Sequence, residues 1–321
     1  MIEATLKYHI LNKVINMPSI EKGDSAWAST SLTDSKFTTV TGGQRLILTK
    51  QPGGEVVFTS GFATRGTVVV EDLAFDNGLI QIVDSVMRIP EGLEATARFA
   101  YTDLTAFVGA LYAADMIDEV VKAKDITIFA PRNAAFQQLA GTFAAMDKAT
   151  LQRVLRYHLV PNNLVHVWEL KNATSLVSAA SGTAPLTITR NANSIFINAA
   201  EIIQSDILIA NGLVHMIDNV LNPALNGSRP DVTRTAAQLP VFTQQGATET
   251  GTTVPTPFAS NLPCTASCPV TAVSGTPTAT ATSQATGSKS TNAAVAPARC
   301  TGLVGAGVGV GLAVGAMMVG L

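Results

Sequence analysis

The sequence predicts an α/β (α+β) fold in which helices pack around a β wedge or sandwich, with one complete domain preceded by a partial copy of itself. Two observations carry this reading. The first is an echo: Asn211-Gly212-Leu213-Val214-His215-Met216-Ile217-Asp218 repeats the phrase Asn77-Gly78-Leu79-Ile80-Gln81-Ile82-Val83-Asp84, 134 residues earlier. A chain that repeats a phrase in matching context contains a repeated unit. The second is a switch in apolar spacing, from three- and four-residue steps to short β-branched runs between turn residues.

Taken in order, residues 6–15 have a counterpart at 155–165, which aligns Tyr8-His9 with Tyr157-His158. The interval from His9 to Asn77 is 68 residues, against 53 from His158 to Asn211, so the first copy carries fifteen extra residues. The Ser/Thr-rich loop 24–41 is the expected place for them. Leu46–Thr49, Val56–Phe58 and Thr67–Val70 are predicted strands, split by Gly-Gly and Pro-Gly-Gly turns. In the second copy Leu186–Thr189 and Ser194–Ile197 flank Arg190–Asn193 as a hairpin. The Asn-Gly of each repeated phrase reads as a tight turn tolerant of positive φ.

The front half is present only in the second copy. Leu104, Phe107, Val108, Leu111, Met116, Ile117, Val120 and Val121 predict helix over 102–123. Ile126–Ala130 is a short buried strand that Pro131 ends, and Asn133 is placed to cap a helix carrying Phe136 and Leu139. A further helix runs from Asp147 to about His158, with Leu151, Val154 and Leu155 on one face. Residues 1–92 therefore read as the back half of a first domain and 98–223 as a complete second one. A half domain leaves apolar β surface uncovered, so low order is expected in 1–92 unless upstream residues are restored.

Charge excludes one class of partner. With 21 basic and 23 acidic residues the net charge is -2, which gives no electrostatic case for nucleic acid. The N-terminus shows no export-signal order and is read as incomplete. From Thr243 to Cys300, 26 of 58 residues are Ser, Thr or Pro, so 224–302 is expected to be a disordered stalk, O-glycosylated if secreted. Cys264 and Cys268 form a local disulfide or remain free thiols. The uncharged, Gly-rich stretch 303–321 follows a spacer and small residues, the pattern of a glycosylphosphatidylinositol (GPI) signal. Asn292 is the expected attachment site, with Ser288 or Ser290 as alternatives. A retained membrane helix packing through Gly-xxx-Gly pairs is the other reading.

Thr127-Ile128-Phe129-Ala130-Pro131-Arg132-Asn133-Ala134-Ala135-Phe136, Tyr157-His158 and Asn211–Asp218 with Val220-Leu221-Asn222-Pro223 resemble, in order, the first box, the central Tyr-His motif and the second box of fasciclin (FAS1) domains. Residues 1–90 resemble the back half of a preceding one, with Gln81 where His is usual. The resemblance implies a FAS1 fold, a role in adhesion or matrix contact, and similarity to GPI-anchored proteins of walled cells, fungal ones especially. It implies partners among cell-surface or matrix proteins or wall glycans, and a place on the outer face of the plasma membrane or in the wall. A module holding a lipid or glycan on the lumenal face of a secretory or vacuolar membrane is the alternative. Asp206 and Ile207 match a short Asp-Ile motif tied to partner binding in animal relatives. With Tyr157 and His158 they are the candidate contact residues.

No catalytic, cofactor or metal residue is assigned. The nucleophile elbow Gly-x-Ser-x-Gly does not occur, and Gly305–Gly309 lacks the strand and Lys-Ser/Thr of a phosphate loop. His158 and His215 sit in apolar runs and read as core histidines. Asp84 and Asp218 read as turn caps accepting backbone N–H bonds. Asn172-Ala173-Thr174 and Asn226-Gly227-Ser228 are glycosylation sequons in predicted loops.

Overall fold

Residues 1–92 form helix α1 (Ile2–Tyr8) and strands β1 (Ser25–Ser29), β2 (Arg45–Lys50), β3 (Val56–Thr59), β4 (Arg65–Phe75) and β5 (Gly78–Val83) in a computed structural model of the chain. The structure describes residues 1–225, 228–234, 236–243 and 255–263. The strands make a sheet in the order β1-β2-β3-β4-β5, antiparallel throughout. Where low order is expected, the back half instead encloses a core of its own. Alternation along β2 and β3 turns Leu46, Leu48, Val56 and Phe58 inward, where they meet Tyr8, Met17 and Leu32.

The second copy contributes α2 (Leu93–Phe99), α3 (Thr105–Ala113), α4 (Ile117–Lys122), β6 (Ile126–Pro131), α5 (Asn133–Gln138), α6 (Ala140–Ala144), α7 (Lys148–Tyr157) and β7 (Leu159–Val160). It continues with β8 (Ser175–Leu176), β9 (Leu186–Asn191), β10 (Ser194–Ile197), β11 (Ala200–Ile209) and β12 (Gly212–Ile217). Its sheet runs β7-β6-β12-β11-β10-β9-β8, with β6 and β12 parallel. Phe107, Leu111, Phe136, Leu151 and Leu155 from the helices close over Ile128, Val214 and Met216 of the sheet.

Three local expectations change. The helix over 102–123 is broken into a 3₁₀ turn, α3 and α4, and Asp115 at φ 53° lies in the second break. Asn133 does not cap its own helix: its Oδ1 accepts from Ala106 N at 2.8 Å, so it caps α3 from across the fold. Gly212 is not a positive-φ turn residue. Its need is space, since a Cβ there would lie 1.9 Å from the Ile126 carbonyl oxygen of the parallel neighbour.

The last hairpin of each copy has the same register. β4–β5 pairs Val70 with Ile82 and Leu73 with Ile80, and β11–β12 pairs Gln204 with Met216 and Ile207 with Val214. Both ladders slip at the same two places, and the bulge carries Asp72 at φ 56° in one and Asp206 at φ 54° in the other. The difference lies beyond β5, which is the last strand of its sheet, whereas β12 is flanked by β6. Ile80 and Ile82 are accordingly 51% and 45% exposed, where their equivalents Val214 and Met216 are 0% and 6%. Twelve of the fifteen extra residues lie in three connections of the first copy: 30–44 against 177–185, 51–55 against 192–193, and 60–64 against 198–199.

All described residues belong to one compact unit, Met1–Cys268. The chain stays on the second copy past Pro223, with Gln238 N donating to Asp218 Oδ2 at 2.9 Å. Asn226, Cys264, Cys268, Ser288, Ser290, Asn292 and the tail 303–321 lie outside the described residues. Among the described residues no helix is long and apolar enough to cross a membrane.

Candidate functional site

The longer β1–β2 connection of the first copy reaches the second. Thr39 N donates to Ala210 O at 3.1 Å, and Thr41 N donates to Asp125 Oδ1 at 2.8 Å. Gln44, fully buried, donates from Nε2 to Ile209 O at 3.1 Å and accepts at Oε1 from Arg45 N at 2.7 Å. A buried amide satisfied on both ends fixes orientation, because any shift would leave a polar group unpaired. Below it Ile47 of β2 packs with Leu208 and Leu213, beside Leu164 and Trp168.

At the surface end of this seam stands a stack of rings. His166 lies between Trp27 of the first copy, 5.7 Å away, and Trp168 of the second, 4.6 Å away, each ring within 10° of parallel. The Arg45 guanidinium sits 4.1 Å from the Trp27 ring and Lys13 Nζ 5.5 Å from it. The chain has two tryptophans, and both are here. They and Arg45 are half-buried, and Lys13 is exposed.

Asp206 anchors the stack from inside. Its Oδ1 accepts from Val167 N at 3.1 Å and lies 3.3 Å from His166 Nδ1, and its own N–H donates to His215 Nδ1 at 3.3 Å. With Nδ1 accepting, His215 carries its proton on Nε2 and donates it to Val165 O at 2.8 Å. Burial pushes the Asp206 carboxyl up. The neighbouring His166 and His215 imidazoles, His166 through its hydrogen bond, and the Val167 N–H outweigh it and hold the group below its ordinary value. Burial moves His215 down, against the pull of Asp206.

The residues singled out from the sequence therefore turn inward. Asp206 and Ile207 are buried in the bulge, and Tyr157 accepts a bond from Asn198 Nδ2 at 3.0 Å. His158 is a clamp: Nδ1 donates to Val154 O at 2.8 Å and Nε2 accepts from Leu221 N at 3.0 Å. His9 makes the same pair of bonds, to Thr5 O at 2.7 Å and from Met87 N at 3.0 Å. Asp84 and Asp218 accept from Thr67 N and Glu201 N on the neighbouring strand, and Asp84 also accepts from Ser85 Oγ at 2.6 Å. Asn172 is exposed, and its Oδ1 accepts from Arg190 N at 2.9 Å. Among the described residues no group of three or more His, Cys, Asp or Glu is placed to hold a metal ion.

Sequence reasoning passed over Trp27, Arg45, His166 and Trp168. The available signal was scarcity, since two tryptophans in a chain this long are rarely placed without a packing partner. A surface cleft of about 580 Å³ adjoins Lys13, and its lining mixes Val14 and Ile15 with Asn16, Glu21 and Asp24.

The architecture is that of a tandem α/β repeat whose copies meet along a seam that ends in the Trp27–His166–Trp168 stack. The chain belongs to the fasciclin domain family, which matches residues 1–90 and 102–223. A fasciclin-like arabinogalactan protein of Arthroderma benhamiae is 29% identical over 64% of this chain. Fasciclin-like arabinogalactan protein CTB11 of Cercospora beticola is 27% identical over 70%, and human periostin is 25% identical over 53%. The match spans 47% of the length of the Arthroderma relative and 61% of the Cercospora one. A solved FAS1 domain pair from the insect cell adhesion molecule fasciclin I is similar over 68% of this chain and 79% of that one, at 18% identity and a TM-score of 0.38.

Proposed function

We propose that this chain is a non-enzymatic cell-surface adhesion glycoprotein. Residues 98–223 would act as a complete FAS1 repeat and 1–92 as the back half of a preceding one. A glycosylated stalk and a GPI anchor would hold them off the membrane or in the wall. The partners in this reading are cell-surface or matrix proteins or wall glycans, met at the seam between the copies.

One observation carries the site: both tryptophans, Arg45 and Lys13 converge at the outer end of the seam. Trp and Arg are the side chains most enriched where interfaces concentrate their energy, because each combines large contact area with a directed polar group. The relatives named as arabinogalactan proteins support the surface location. Binding of the chain to isolated wall material tests the reading, with protease- and glycosidase-treated walls separating protein from glycan partners. Retention by neither treated nor untreated walls would overturn it. Release from intact cells by a phosphatidylinositol-specific phospholipase tests the anchor separately.

A second reading, a lipid or glycan carrier on a lumenal membrane face, draws on the cleft beside Lys13. A saturable small ligand co-purifying with the chain would favour it.

A further inference from the structure

Residues 255–263 fall within the stretch whose composition predicts a free stalk, yet they lie seated on the second copy. Phe258 stands at the centre. Its ring meets Phe143 edge-on at 5.5 Å and Phe136 at 6.1 Å, and those two rings stack on each other at 5.1 Å. Phe258 has φ 62° and opens a single 3₁₀ turn, Ala259–Asn261, so the chain bends sharply to deliver that ring. Gln137 Nε2 donates to Thr256 Oγ1 at 2.7 Å, and Arg98 Nη2 donates to the Pro263 carbonyl. Leu262 packs against the same core.

The receiving helix is shaped for this segment. Gly109 sits in the middle of α3, where glycine costs about 1 kcal/mol relative to alanine. A Cβ at Gly109 would lie 2.0 Å from the Phe258 carbonyl oxygen, and its nearest neighbours are all atoms of Phe258. The helix therefore carries an unfavourable residue at a point where the segment's backbone presses on it. Pro255 and Pro257 restrict the free segment, which lowers the entropy lost on seating.

We infer that the groove formed by α3, α5 and α6 is a peptide-recognition site for a Pro-x-Pro-Phe segment. Its occupant is Pro255–Pro263 of the same chain. The groove reads an aromatic ring through Phe136 and Phe143, a hydroxyl through Gln137 and a main-chain carbonyl through Arg98. It takes its own segment in preference to a free one because the connection to Thr243 holds the local concentration in roughly the millimolar range.

The test is fluorescence anisotropy of a labelled synthetic peptide with the sequence of residues 255–263, added to the full chain. Wild type binds it weakly, since the groove is filled. The Phe258→Ala chain binds it at least tenfold more tightly, and a peptide carrying the same substitution does not bind. Gly109→Ala, added to the Phe258→Ala chain, abolishes binding while leaving the melting temperature equal or higher, because alanine favours the helix. Equal binding by wild type and the Phe258→Ala chain, or none by either, overturns the inference. So does a two-chain wild-type species at micromolar concentration that disappears on Phe258→Ala, which would place the segment on a second copy.

Discussion

Gln81 does for Asp72 what His215 does for Asp206. In the first copy Asp72 N–H donates to Gln81 Oε1 at 2.8 Å, and in the second Asp206 N–H donates to His215 Nδ1 at 3.3 Å. Each aspartate then accepts from the backbone at the same point of the fold, Met17 N for Asp72 and Val167 N for Asp206. The bulge needs an acceptor at this position, and an amide oxygen or a neutral imidazole nitrogen both serve. His215→Gln is accordingly expected to cost about 1 kcal/mol by denaturant unfolding. His215→Leu, which strands the Asp206 N–H and the Val165 carbonyl, is expected to cost about 3 kcal/mol.

Acid should weaken the second copy through His158. Burial lowers its pKa from 6.5 to about 4, against the bond to Val154 O. A histidine with a lowered folded pKa contributes stability that is complete above the unfolded value. That stability falls as pH drops from 6.5 towards about 4, and is level below that. The interval corresponds to about 3 kcal/mol. Unfolding free energies measured at intervals from pH 7 to pH 4 should show this slope, and a His158→Gln variant should lose that part of it. An unchanged slope would remove His158 from the account.

The uncovered face of β4–β5 makes the first copy tolerate a threonine where the second does not. Ile80→Thr combined with Ile82→Thr should leave stability within about 0.5 kcal/mol and reduce binding of an apolar dye, since both side chains already face solvent. Val214→Thr, at the position equivalent to Ile80, buries a hydroxyl among Ile128, Phe107 and Leu111 and should cost about 2 kcal/mol. Calorimetry and dye fluorescence on the variants decide the point.

The seam should depend on Gln44. Gln44→Leu removes the donor to Ile209 O and the acceptor of Arg45 N, leaving both buried groups to find other partners. A loss of about 2 kcal/mol is expected. Hydrogen exchange should quicken at Thr39 and Arg45 before it changes in the core of either copy.

Much of the fold is legible in the chain because its elements follow local periodicity. The repeated phrase and the Tyr-His pair read from the internal repeat, and the strands β2, β3, β9 and β10 from apolar spacing. Gly212 reads as a turn because Asn-Gly has that local meaning, but its need comes from Ile126, a residue distant in sequence. Asn133 likewise looks like the cap of the helix it begins, and serves α3 instead. The seam was the least legible part. Trp27, Arg45, His166 and Trp168 come from three separate stretches, and no spacing rule links them until both copies are folded. Phe258 was hidden by composition, since Ser, Thr and Pro around it describe an average and not one anchoring ring.

The central claim is that the seam is the contact surface, and equilibrium binding of the full chain to isolated wall material tests it most directly. Lys13→Glu and Trp27→Ala alter the seam, and Lys122→Glu alters an exposed cation elsewhere. The account predicts at least a tenfold loss of affinity for both seam variants, with melting temperature retained in Lys13→Glu, and wild-type binding for Lys122→Glu. Wild-type binding by both seam variants would contradict it.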